Sequence, residues 1–260
     1  MKRLFLRLAQ RTGLLGPAFR AYEIAVAIRP ARVRAVDGPA LPPRRLMVRV
    51  AGTADADWFI RSGRAAYDAI TAHVPVEEAV DVLDFGCGCG RVLRYWNHHH
   101  GTIAGTDRDA GAVAWCAGNL PFARVAPNQL APPLRYDDAS FDLVYALSVF
   151  THLTEELQTA WRDELRRVLR PGGRLLLTTH GRSYLSRLET AERERFERGA
   201  LVVRWGDLPG SNLCSAYHPE GYLRDTLARG FELETVEPEG ARGNPTQDLV
   251  VMRRPLSASG

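Results

Sequence analysis

Lysine is nearly absent from this chain: Lys2 is the only one among 34 basic residues, the others being arginine. An arginine excess of that kind reflects lineage or codon usage and is poor evidence for a nucleic-acid surface. No uninterrupted apolar run approaches the roughly 18 residues of a membrane-spanning helix. The stretch from Met1 to Leu15 has only short apolar groups, interrupted by Arg7 and Arg11, so it lacks the apolar centre of a secretory leader. The four cysteines, Cys87, Cys89, Cys116 and Cys214, form no CxxC pair, which supports neither a disulfide framework nor a zinc site. Reduced thiols and a cytoplasmic location are the expectation. Internal repeats and low-complexity blocks are missing as well.

What is present is the composition of an ordinary globular protein, 45% hydrophobic and 25% charged, which argues against the disordered and membrane classes. At 260 residues the chain has room for one sizeable α/β core with additions. Charge is uneven. Residues 1–49 carry eleven basic residues against Glu23 and Asp37, a local +9, so the rest must sum to −5 to give the overall +4. A solvated basic arm explains this without a partner, and neither nucleic acid nor a membrane surface is the expected one. Leu4, Leu8 and Leu15 allow an amphipathic helix, for which packing on the protein is the simpler fate.

Four prolines between Arg29 and Pro43 mark an extended arm. Asp55 and Asp57 can cap a helix whose Trp58, Phe59, Ala66, Tyr67, Ile70 and Val74 fall at helical spacing before Pro75. From Val80 short apolar runs alternate with helical segments, the pattern of a mostly parallel sheet covered by helices. Strands are expected at residues 80–85, 102–106, 123–126, 141–147 and 173–179, with helices after Gly90, Asp109, Thr154 and His218. Residues 231–237 and 248–253, separated by a Gly/Pro/Asn loop, read as a closing hairpin. The expected division is a basic arm and helical extension over 1–79 and a main domain over 80–260. Residues 181–217 interrupt the alternation, and an insertion there would lie over a ligand crevice as a lid.

The strongest motif is Val82-Leu83-Asp84-Phe85-Gly86-Cys87-Gly88-Cys89-Gly90-Arg91, an apolar strand running into a glycine turn that should open a helix. Glycines let the backbone approach a ligand, and free N–H groups at a helix start favour an anionic group. Asp84 can accept from an ammonium or hold the turn. A dinucleotide fingerprint would need glycine at position 91, where arginine stands. The second strand ends in Gly105-Thr106-Asp107, a carboxylate placed to accept from both hydroxyls of a ribose, or else to cap a helix as Asp109 can.

These residues resemble the first motif and ribose-binding acid of the class I S-adenosylmethionine-dependent methyltransferases. Two further runs are similar to that family: Ser140 to Leu153, like its fourth strand and following loop, and Arg166 to Leu175, like its turn into the fifth strand. The resemblance covers about residues 80–180 well and the remainder loosely. It implies a Rossmann-like, seven-stranded, mostly parallel sheet with helices on both faces, a final antiparallel hairpin and an N-terminal helical extension. It implies S-adenosyl-L-methionine as cofactor, held by Asp84, Gly86, Cys87, Gly88, Gly90, Asp107, Arg108, Asn128, Gln129, Leu147 and Phe150. Asn128, where many relatives have Asp, keeps an acceptor for the adenine amino group, though Asn also suits turns.

The family's enzymes for base amino groups carry an Asn/Asp-Pro-Pro-aromatic motif after the fourth strand. Ala146-Leu147-Ser148-Val149-Phe150 stands there instead. A small hydroxylated acceptor, a sugar or secondary metabolite, is the expectation that follows from the resemblance. Such a nucleophile benefits from a base, for which His152, His180 and His218 are the candidates, His152 first, each with a purely structural alternative. Trp58, Phe59, Tyr67, Asn212 and Tyr217 can wall the acceptor pocket, or simply pack. His98, His99 and His100 should be solvated. A nicotinamide-dependent oxidoreductase and a noncatalytic nucleoside-binding protein remain the alternatives.

Overall fold

Strand β1 (Val82–Phe85) is buried along its whole length and sits between β2 (Ile103–Asp107) and β4 (Phe141–Ala146), parallel to both. The computed structural model that shows this describes residues 21, 25, 40–74, 81–243 and 246–256. The amphipathic stretch before Leu15, the arm up to residue 39 and Val80 lie outside the described residues. The chain divides into two compact units, Met1–Arg61 and Ser62–Gly260. In the first, helix α1 (Arg44–Ala51) ends on Gly52 in the left-handed conformation. Helix α2 (Ala56–His73) begins in the first unit and runs into the second. No helix among the described residues is long and apolar enough to cross a membrane.

With β3 (Ala123–Pro127), β5 (Leu169–Thr179), β8 (Glu232–Ala241) and β9 (Gln247–Arg253), the sheet has seven strands in the order β3-β2-β1-β4-β5-β9-β8. β9 is antiparallel to both neighbours, so the closing hairpin is present within an otherwise parallel sheet. Central strands covered on both faces need continuous apolar runs rather than alternation. Leu175, Leu176 and Leu177 in β5 are accordingly all fully buried, as are Val144, Tyr145 and Ala146 in β4. Helix α3 (Ala110–Asn119) starts at Asp109, whose carboxylate accepts from the N–H groups of Gly111 and Ala112. Helix α4 (Glu155–Val168) is capped by Thr154 and buries Trp161, Leu165 and Val168 in the core. At the opposite edge from the site, Arg170 pairs with Asp81 and Asp142 at 2.7 and 2.6 Å, tying the starts of β1, β4 and β5 together.

Strand order reverses between β1 and β4, and ligands bind outside the carboxyl ends at such a point. Four expectations need correction. The strand at 80–85 begins only at Val82 among the described residues. Gly90 does not open an α-helix: a single 3-10 turn, Leu93–Trp96, follows it. Gly90 has φ +76°, and residues 91–102 leave about a dozen positions before β2, the shortest span in which a helical crossover fits. The insertion holds a second sheet that the pattern did not indicate, β6 (Val202–Arg204) antiparallel to β7 (Ser215–Tyr217), after helix α5 (Thr190–Glu197). After His218 the chain makes one α turn, α6 (Glu220–Tyr222), which widens into a π turn over Leu223–Leu227.

Candidate cofactor and acceptor site

The turn after β1 is held from both sides. Gly86 and Cys87 donate their N–H groups to the carbonyl of Thr106, and Gly88 donates to Oδ2 of Asp107 at 2.8 Å. Gly86, Gly88 and Gly90 all have positive φ. At Gly86 glycine is obligatory, because a Cβ would lie 2.3 Å from Cγ2 of Val149. The loop after β4 therefore rests directly on the turn after β1. Asp107 accepts from Asp109 N–H at Oδ1 as well, which leaves one lone pair on each oxygen for a ligand. Asn128 accepts from the Thr106 hydroxyl at Oδ1 and donates to the Gln129 carbonyl, leaving one acceptor and one donor position.

Asp84 is 4% exposed, and burial pushes its carboxyl up to about 7, partly offset by Tyr145 beside it. Burial likewise raises Asp107. Two enclosed carboxylates with spare lone pairs flank one glycine turn. Such a pair of acceptors suits an ammonium at Asp84 and a vicinal diol at Asp107, the polar ends of an aminoacyl nucleoside.

On the other side of the switch point the insertion comes down onto the loop after β4. His152, in the 3-10 turn Phe150–His152, shares a bond of 2.7 Å between Nδ1 and the Cys214 carbonyl. His180, just past β5, does the same with the Ala216 carbonyl at 3.1 Å and stacks on Tyr184. Carbonyls of residues 214 and 216 point the same way from one edge of β7, the other edge being paired with β6. A carbonyl only accepts, so both histidines carry the proton on Nδ1 and present Nε2 as a lone pair. Neither Nε2 has a hydrogen bond among the described residues; His152 is half-buried and His180 buried. Burial lowers the pKa of His152 and, with help from His152, brings His180 down to about 4.

His218 is different. It is 1% exposed, donates from Nε2 to Gln158 Oε1, and has a buried Nδ1 without a partner. No acceptor reaches it, which removes it from the candidate bases. Phe150, expected at the cofactor, is fully buried among Phe85, Trp161 and Leu165 in the core. Tyr217 packs inside the insertion with Tyr184, Leu188 and Phe196. Tyr67 packs edge-on against Trp96. Trp58 and Phe59 lie in the first unit, half-buried and buried respectively. Asn212, Gln129 and Arg108 are exposed, and Arg108 donates to the Pro209 carbonyl of the insertion at 3.2 Å. Gly210 N–H donates to the His152 carbonyl at 2.7 Å, so the insertion is fastened at Arg108 and at His152.

Two residues escaped the sequence reading. Ser148 has φ +60°, and strain of this kind collects at functional sites. Its N–H donates to Thr178 Oγ1, Thr178 donates to Gln247 Oε1, and Gln247 donates back to Ser148 Oγ. Nothing in the sequence marks it. Arg91, beside Leu147 and Ser148 at one cavity, was legible only as the residue that spoils a dinucleotide fingerprint.

Comparison with known proteins agrees with this geometry. The methyltransferase domain family matches residues 83–177. A malonyl-[acyl-carrier protein] O-methyltransferase of Enterobacter lignolyticus is 34% identical over 131 residues, 50% of this chain and 51% of that protein. The chain thus spans about half the length of such relatives. A protein of Encephalitozoon cuniculi that carries a methyltransferase name is 35% identical over 165 residues, 58% of this chain and 70% of the relative. Among solved structures, an S-adenosylmethionine-dependent methyltransferase from Mesorhizobium loti shares the fold at TM-score 0.55 and 22% identity, over 73% of this chain and 98% of that one. One from Methanosarcina mazei does so at 0.54 and 19%, over 72% and 98%. With the glycine turn, the acid after β2 and this sheet order in place, the chain belongs to the class I S-adenosyl-L-methionine-dependent methyltransferase family.

Proposed function

We propose that the chain transfers a methyl group from S-adenosylmethionine to an oxygen of a small hydroxylated acceptor, in the class of sugars and secondary metabolites. The observation that carries the cofactor half is the pair of enclosed carboxylates, Asp84 and Asp107, on either side of the turn at Gly86–Gly90. When bound, the cofactor supplies an electrophilic methyl on a sulfonium. Asp107 accepts from the ribose hydroxyls, Asn128 meets the adenine amino group, and Asp84, ionised by the arriving ammonium, holds the amino-acid end.

His152 receives the acceptor proton at Nε2. Its Nδ1–H is tied to the Cys214 carbonyl, and its lowered pKa keeps the imidazole neutral at physiological pH. Positioning of the nucleophile by the loop after β4 and the insertion supplies much of the rate. Relatives named as O-methyltransferases support oxygen as the receiving atom.

Calorimetry with S-adenosylmethionine, its demethylated product and NAD tests the first half, with binding of the first two and none of the third expected. NAD binding alone would favour an oxidoreductase. An acceptor screen that follows formation of the demethylated product tests the second. Cofactor binding with no turnover on any hydroxyl, carboxyl or amine would leave a nucleoside-binding protein.

A further inference from the structure

Gln158, in the first turn of α4, is fully buried and uses every hydrogen-bonding position of its amide. Its Nε2 donates to the Phe150 carbonyl and to the Leu153 carbonyl, each at 3.1 Å. Its Oε1 lies 3.1 Å from His218 Nε2 and accepts from the Tyr222 hydroxyl at 3.3 Å. Carbonyls only accept, so the amide has one possible orientation, and a chain of proton positions follows from it. Both hydrogens of Gln158 face the backbone on either side of His152, its oxygen accepts, and His218 carries its proton on Nε2. The bare Nδ1 of His218, buried without a partner, agrees with that tautomer.

The two carbonyls bracket His152, the residue whose ring reaches the Cys214 carbonyl. Phe150 and Leu153 are 0% and 3% exposed, and a buried carbonyl deprived of its donor is costly enough to make a turn rotate in search of another. The one backbone bond to the Phe150 carbonyl, from Leu153 N–H, is long at 3.4 Å. Gln158 is therefore a principal holder of the turn from which the His152 ring projects. His218 is joined to the second histidine as well, its own N–H donating to the His180 carbonyl at 2.8 Å. One buried amide and one buried imidazole thus connect the backbones that carry both candidate bases.

We infer that Gln158 is a positioning residue: by gripping the carbonyls on either side of His152 it sets the place of that ring, and His218 fixes the sense in which Gln158 grips. The inference rests on the reading of His152 as the base that takes the acceptor proton. A base works only when its lone pair is aimed at that proton, and a shift of about 1 Å caused from outside the reacting groups can cost roughly 10²-fold in rate. The third histidine, sealed from any acceptor, has its use here.

The ring nitrogen resonances of His152, assigned by their absence in His152→Ala, report its tautomer in the full chain at about pH 8, where an ordinary imidazole is neutral. In the wild type the proton should sit on Nδ1, as the bond to Cys214 requires. Gln158→Met, close to glutamine in volume, should give a mixture of tautomers, because the turn is then free to carry the ring off the Cys214 carbonyl. His218→Leu should do the same to a smaller degree, Tyr222 remaining, whereas His218→Gln should keep the wild-type signature, its amide offering a donor where Nε2 stood. The contrast between the two His218 variants decides the matter if Gln158→Met fails to fold. A wild-type His152 signature in folded Gln158→Met, or one signature shared by the two His218 variants, would overturn the inference. With a hydroxyl acceptor that turns over, Gln158→Met should lower kcat about 10- to 100-fold at nearly unchanged KM, and an equal loss in a His152→Ala background would also overturn it. If His152→Ala alone leaves turnover unchanged while Gln158→Met still mixes the tautomers, the base reading falls and the positioning of the ring stands.

Discussion

Gly88 donates its backbone N–H to Asp107 at 2.8 Å, so the turn after β1 is fastened to the carboxyl end of β2 by the side chain proposed to hold the ribose. Asp107 thus sets the shape of the turn and offers its remaining lone pairs to the ligand. Cofactor affinity and turn geometry are coupled at one carboxylate.

Asp107→Ala should weaken S-adenosylmethionine binding by about 1.5 to 3 kcal/mol, roughly 10- to 150-fold, the typical worth of hydrogen bonds to a charged acceptor. Calorimetry on a variant with wild-type circular dichroism measures it. Undiminished affinity would take Asp107 out of the ribose site.

Gly86→Ala should destabilise the fold by about 2 kcal/mol, through overpacking and a strained positive φ. The added methyl meets Val149. In a Val149→Ala background Gly86→Ala should cost less than it does in the wild type, because the clash is then relieved. Urea unfolding of the four proteins gives the coupling, and simple additivity would show that the clash is absorbed elsewhere.

His152→Ala should lower turnover on a hydroxyl acceptor about 10²- to 10⁴-fold while cofactor affinity stays near wild type. In the wild type, activity should rise with pH through a histidine pKa below the usual 6.5, since burial favours the neutral ring. The variant should lack that limb. Equal loss of cofactor affinity would mean that the ring shapes the cofactor pocket, and unchanged turnover would pass the role to His180.

The parts of this protein that were legible in its sequence are those whose information is local. Asp84 to Gly90 announces a strand and a turn by itself, and Asp107 follows one apolar run later, so both could be placed without knowing what packs on them. The three residues each of β6 and β7 are too short for any periodicity, and with them went the carbonyls that orient His152 and His180. His152 and His218 look alike as letters. Only the fold shows that one is half-buried with no hydrogen bond at Nε2 among the described residues, while the other is buried against Gln158. The cavity at Arg91 draws on five separate stretches of chain, a non-local assembly that pattern cannot announce.

Acid should unfold the protein through its buried histidines. Burial holds His180 near 4 and His218 near 3, whereas an unfolded histidine titrates near 6.5. As pH falls below 6.5 the unfolded chain takes up protons that the folded one refuses, and stability is lost progressively down to about pH 4. The loss is on the order of 3 kcal/mol for His180 by linkage. Asp84, raised to about 7 by burial, acts in the opposite sense and stabilises the fold at acid pH. Replacing His218 by Asn should make the decline between pH 6.5 and 4 shallower in urea unfolding, and Asp84→Asn should make it steeper. Parallel curves for all three proteins would contradict this.

Both candidate bases take their tautomer from β7 and the residue just before it, Cys214, in a segment that belongs to the insertion and not to the seven-stranded sheet. The insertion therefore behaves as a cassette: a segment of different length or twist grafted between β5 and α6 would release both rings at once and change which nitrogen is basic. Exchange of that one segment would thus reset both rings together, while the glycine turn and Asp107 keep their own bonds to each other.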